Sequence, residues 1–141
     1  MTESLALYRE VDSTFDIAGS LAQQGFLALR RSAPVQALAL FRQSLPMYRN
    51  YPTSPGVTRG LAQLLIAFAA CGQPLAAARL AGVLGFDGTP PELSGTVKRA
   101  YEDALANTRA LLSVVDFAHE VAAGCSMERE AAIEYALTAC G

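Results

Sequence analysis

The sequence predicts an all-α protein, a short α-solenoid of seven or eight helices stacked as antiparallel hairpins, and three observations predict it. Strand signals are nearly absent, since no alternating β-branched run and no Asn-Gly or Asp-Gly turn between such runs occurs. Four of the seven prolines, Pro34, Pro55, Pro74 and Pro90, stand where a helix should open. Proline suits that position because its fixed φ is already helical and its missing N–H would have had no partner. Between these punctuation marks apolar residues recur at three- and four-residue steps, the spacing of one helix face.

The first helix is expected over 3–11, where "ESLALYREV" has one apolar side, and the second over 14–31. Pro34 opens a third over 34–50. Pro46 lies deep inside it and should kink or end it near Leu45, because proline removes one backbone hydrogen bond. A fourth helix runs from Pro55 to Cys71 and contains eight consecutive apolar residues, Leu64 to Cys71. A helix apolar all round is buried on more than one side. Pro74 opens a fifth over 74–85, with Gly85 at its C-terminus and a turn at Asp87-Gly88.

The strongest cap is "TPPE", in which the Thr89 hydroxyl and the Glu92 carboxylate can satisfy each other's backbone amides as a capping box. It opens a helix over 90–112. Leu93, Val97, Ala100, Tyr101, Ala104, Leu105, Thr108, Leu111 and Leu112 make its stripe, and Lys98, Arg99, Glu102, Asp103 and Arg109 its wet face. Two shorter helices over 114–123 and 126–139, the latter capped by Ser126, complete the chain. Turns this short join antiparallel neighbours.

A shift of forty residues lays "SLAQQGFLALRRSAPVQALALF" (20–41) on "GLAQLLIAFAACGQPLAAARLA" (60–81), matching Gln23 with Gln63 and Pro34 with Pro74. Each copy, about 14–50 and 55–85, is a hairpin that cannot bury its apolar faces alone, and stacking is the physical remedy. Gly25, Ala37 and Ala77 should let the paired helices approach, with Phe41, Phe68 and Leu84 filling the space beside them. The 141 residues are expected to form one domain.

Small residue, aromatic and alanine at these spacings resemble degenerate tetratricopeptide repeats (TPR), without the usual early tryptophan. "GLAQLLIAFAACGQPLAAARLAGVLG", "YEDALANTRALL", "DFAHEVAAG" and "SMEREAAIEYAL" together resemble the C-terminal helical region of LuxR-type and AfsR-type ATPase transcriptional regulators. The resemblance covers about 57–139, and 12–50 more loosely. It implies a sensor or interaction module for signal transduction, cut from such a regulator or standing alone. It does not imply ATPase activity or DNA binding, since the chain carries no G-x-x-x-x-G-K-[ST] loop and no DNA-binding helix pair after Leu137.

Composition narrows the partners. Eleven basic against thirteen acidic residues lack the electrostatic footprint of a nucleic-acid binder. The longest apolar run falls far short of the roughly twenty residues that cross a membrane, and "MTESLALYREVD" has no basic n-region, so a cytoplasmic protein is expected. Cys71, Cys125 and Cys140 are odd in number, far apart and accompanied by a single histidine, which favours reduced thiols over disulfides or zinc.

No cofactor, metal or catalytic set is expected. His119 next to Glu120 and three residues after Asp116 could serve as a base, but a solvent-facing or capping histidine is the simpler reading. Cys125 could gain reactivity from the dipole of the final helix, or be a small turn residue beside the Ser126 cap. The adjacent Glu102 and Asp103 point about 100° apart on a helix and are surface charges. "GVLGFDGTPPEL" is a linker rather than a phosphate loop.

The reading is therefore a non-enzymatic scaffold that binds a protein or peptide along the inner face of the stack. Phe26, Leu29, Arg30, Arg59 and Ile66 are the expected contacts, with Ala62 and Ala69 on the same side. Ile66 would need a neighbour there, either a hairpin of a longer parent, a second copy or a target helix. "FRQSLPMYRNYP" (41–52) adds Arg42, Tyr48, Arg49 and Tyr51 as an interface group, against the plainer expectation that Tyr48 packs on the next hairpin. The alternatives are a homodimer, or a small helical ligand-binding bundle or enzyme using His119 or Cys125.

Overall fold

The computed structural model describes residues 2–49, 56–85 and 95–139. They form seven α-helices and, among the described residues, no strand: α1 (Thr2–Arg30), α2 (Pro34–Tyr48), α3 (Gly56–Ala70), α4 (Pro74–Val83), α5 (Gly95–Leu111), α6 (Val114–Cys125) and α7 (Arg129–Thr138). The all-α expectation holds. One element differs: the two helices expected over 3–11 and 14–31 are a single helix, α1. Asp12, Ser13 and Thr14 are weak helix formers that cost only a few tenths of a kcal/mol each, and no Gly or Pro stands between them to stop the chain. The Thr89–Glu92 capping box and Tyr51 lie outside the described residues.

Pro46 falls inside α2, which runs two residues past it to Tyr48. So near the C-terminus its missing N–H costs one late hydrogen bond, and the Pro46 carbonyl itself accepts from the Arg49 amide at 3.1 Å. The helix ends within a turn of the proline rather than at Leu45.

The forty-residue repeat is written into the backbone. At the first turn the Ala33 amide donates to the Ala28 carbonyl (2.8 Å), that of Ser32 to Leu29 (3.1 Å), and that of Ala37 to Ala33 (3.1 Å). Forty residues on, Gln73 donates to Phe68 (2.9 Å), Gly72 to Ala69 (3.2 Å), and Ala77 to Gln73 (3.2 Å). Ala33 and Gln73 share their dihedrals, φ −117° and ψ 67° against φ −118° and ψ 70°. Each turn ends its helix by carrying one residue into positive φ, Ser32 at 59° and Gly72 at 76°, which lets the orphan carbonyls of the last turn find donors.

The α1–α2 hairpin packs on α3–α4 through α2 and α3. Phe41, Leu45, Leu64, Leu65, Phe68, Ala77 and Leu80 are fully buried between them. Gly25 lies beneath the Phe41 ring, where an added Cβ would collide, and Phe26 meets Phe41 edge-on with centroids 5.2 Å apart. Gly60 makes the same close approach to Leu45 from α3.

After two hairpins the regular pattern stops. α5 lies across α3 and α4, burying Tyr101, Ala104 and Thr108, while its charged side faces water. α6 barely touches α5 and packs on α4 instead. There Gly82 and Gly124 are pressed onto the opposite backbones, and a Cβ on either would strike a carbonyl oxygen, of Val121 and Arg79 respectively. α7 then returns to α2, α3 and α4.

Candidate functional site

α3 is enclosed by α2, α4, α5 and α7, so the neighbour that its all-round apolar surface requires is supplied by this chain. Ile66 is 6% exposed and Ala62 fully buried; as placed, neither is a surface contact. Tyr48 is buried too, its ring against the Cα of Gly56 at the start of α3, which is the plainer of the two readings of that residue. Burial raises its hydroxyl pKa, opposed in part by the nearby Arg59 cation. Of the other expected contacts, Phe26 and Leu29 are half-buried at the edge of the core, and Arg30 and Arg59 are exposed.

The described residues converge instead on a groove between α2 and α4 that α7 fills, walled by three arginines. Arg42 of α2 and Arg49, the residue that caps its C-terminus in helical dihedrals, are seven residues apart, about two turns, and so lie on one side. Arg49 Nε donates to Glu130 Oε2 at 3.0 Å, and its terminal nitrogen pairs with Glu134. The two carboxylates are four residues apart on α7 and one guanidinium serves both; these bonds hold the Arg49 pKa above its ordinary value.

Arg42 reaches the other end of α7, donating to the carbonyls of Ala136 (3.3 Å) and Ala139, with its guanidinium carbon 5.5 Å from the Phe68 ring centroid. The last carbonyls of a helix lack internal partners and carry the negative end of its dipole. α7 has no basic residue in its own last turn, and Arg42 supplies one from α2. Arg79 of α4 lies over the Tyr135 ring, 5.0 Å from its centroid, and its Nε donates to Glu120 Oε2 at 2.9 Å. Ile133, Ala132 and Ala136 are fully buried beneath this polar frame.

Beside α7 a cavity of about 670 Å³ opens toward the α5–α6 turn, lined among others by Gln73, Leu75, Arg79, Leu112, Asp116, Glu120 and Tyr135. Leu75 on its wall is exposed. At the α5–α6 turn Leu111 is exposed as well, and Val114 and Val115 stand 86% and 75% in solvent. The expected stripe of the 90–112 helix included Leu111, which is instead exposed at the last residue of α5.

The groups with reactive potential are scattered. His119 is 77% exposed, its Nδ1 4.0 Å from Glu120, whose carboxylate is already engaged by Arg79. Asp116 sits in the first turn of α6, where its amide donates to the Ser113 hydroxyl at 3.0 Å. Cys125 is the last residue of α6, and α7 begins only after Glu128. The alternative of activation by the dipole of the final helix finds no helix N-terminus at this residue, which leaves the plainer reading of Cys125 as a residue of the turn; its Sγ contacts the Gly82 carbonyl at 3.4 Å. Burial raises the Cys71 pKa. Among the described residues no group of three His, Cys, Asp or Glu side chains could hold a metal ion, and no helix is long and apolar enough to cross a membrane.

Arg79, Glu130, Glu134 and Tyr135 were not among the residues singled out in the sequence. The available signal was a pairing of spacings, acids at i and i+4 on the last helix and arginines seven apart along α2 and its C-cap. No protein-family model, curated protein or solved structure matches the chain.

Proposed function

We propose that the chain is a non-enzymatic helical-repeat module that binds a protein or peptide, as the sensor or regulatory region of LuxR-type and AfsR-type regulators would. The observation that carries this reading is the arginine-walled groove holding a helix. Two hairpins with the same turn present one side of α2 and α4 to a third helical segment, and the contacts use side chains favoured at interfaces, arginine and tyrosine over an apolar floor. Recognition of a helix in a groove is a common mode of protein binding.

Affinity capture with the full chain tests it. A protein retained by the wild-type chain and lost from Arg30→Glu/Arg59→Glu or from Arg49→Glu, at unchanged helicity, supports the module and locates its face. Failure to retain any protein from the producing cell, together with a stable monomer by light scattering, would remove the reading. Self-association is a second reading, favoured by the exposed Val114 and Val115 beside Leu111. A dimer mass that reverts to monomer in Val114→Asp/Val115→Asp would establish it.

A further inference from the structure

We infer that the groove walled by Arg42, Arg49 and Arg79 is a receptor for an acidic amphipathic helix, and that α7 is its resident occupant, displaced by a partner helix of the same pattern. The pattern can be read from α7. Acids at i and i+4 meet one guanidinium, an isoleucine at i+3 enters the core, alanines at i+2 and i+6 lie against the groove floor, and a tyrosine at i+5 slides under Arg79. Charge complementarity sets the direction as well, because Arg49 takes the acidic N-terminal end and Arg42 the carbonyls of the C-terminal end. A helix entering backwards would bring its amide end to Arg42 and lose both.

The same features make α7 displaceable. It contacts its neighbours more sparsely than α5 or α6 do, and Ile133 is its one large fully buried side chain. Its two carboxylates are 61% and 58% exposed, where ion pairs are weak and screened by salt. With ten residues it is shorter than helices that persist alone in water, so it is ordered by the groove. What keeps it in place is its short tether to α6, which raises its effective concentration over any free competitor. A partner must therefore carry the pattern in a longer or pre-ordered helix.

This assignment rests on the interaction-module reading, and the experiment separates the two. A fluorescent peptide of residues 126–139 is titrated by anisotropy against the full chain and against the full-chain variants Glu130→Arg/Glu134→Arg and Ile133→Ala. Hydrogen exchange over 129–138 reports whether α7 has left the groove. The expected result is at least tenfold tighter peptide binding to a variant whose α7 amides exchange faster, lost again when Arg49→Glu is added. Faster exchange without that gain overturns the proposal, as does protection of α7 unchanged in both variants, which would make it a fixed part of the fold. A cellular partner that the wild-type chain retains and Arg49→Glu retains equally would overturn the groove assignment while leaving the module intact. Peptide binding as expected with no cellular partner would do the reverse.

Discussion

Ser32 stands in the first hairpin where Gly72 stands in the second, forty residues on, and both hold positive φ at the end of their helices, 59° and 76°. Glycine takes this conformation freely, whereas a residue with a Cβ is strained there by about 1–2 kcal/mol. The two turns are otherwise equivalent in their hydrogen bonds. Ser32→Gly should therefore stabilise the protein by about 0.5–1 kcal/mol, and Gly72→Ala should destabilise it by about 1 kcal/mol, both read from denaturant midpoints at constant slope. Equal and small effects at both positions would mean that the turns do not share one strain.

These turns show where the fold was legible in the sequence. Pro34 and Pro74, Gln23 and Gln63 mark the repeat because a helix break needs particular local chemistry, and local chemistry is visible in a string of residues. The same logic left two readings of Cys125 open, since three residues decide whether it ends α6 or opens α7. Leu111 misled the apolar stripe for another reason: apolar residues need not be inside, and periodicity does not say which part of a stripe finds a neighbour. The docking of α7 left almost no local trace. Arg49 meets Glu130 across 81 residues of chain, and nothing near either residue announces the other.

Gly82 and Gly124 mark a close backbone contact between α4 and α6. Each lies where a Cβ would meet a backbone carbonyl of the other helix, and backbone cannot rotate away as a side chain can. Gly82→Ala and Gly124→Ala should each cost about 2–3 kcal/mol by overpacking, despite alanine's better helix propensity. Gly19, with open space around the position of a Cβ, is the control. Gly19→Ala should stabilise by about 0.5–1 kcal/mol, and thermal unfolding of the three variants checks the order.

Arg42→Ala removes the donor to two carbonyls at the end of α7 and the cation beside Phe68. Losing a charge-assisted bond and leaving a helix end uncapped should cost about 1–2 kcal/mol. The loss is local. Amides of 132–139 should exchange about tenfold faster, while those of α3 keep their protection. Arg42→Lys should recover less than half, because an ammonium lacks the planar fork that spans two acceptors. Uniform acceleration across the chain would show instead that α7 and the hairpins open as one unit.

Tyr101 gives the pH dependence. Its ring is buried on α5, its hydroxyl has no protein partner among the described residues, and burial pushes its pKa from 10.0 up to about 12. A folded pKa above the unfolded one means that the native state holds the proton more tightly. The stability this confers is complete below pH 10 and is lost as pH rises toward 12, to the extent of about 2–3 kcal/mol. Tyr48 and Tyr135 shift in the same direction by burial and add to the alkaline loss. Tyr101→Phe keeps the ring and removes a buried hydroxyl without a bond, so it should be neutral or stabilising by about 1 kcal/mol at pH 7. The discriminating quantity is the difference between the two proteins across pH 9 to 12: the variant should lose markedly less stability than the wild type. Parallel pH profiles would mean that the Tyr101 hydroxyl ionises in the folded state as easily as in the unfolded chain, and so is not enclosed between α5 and the hairpins.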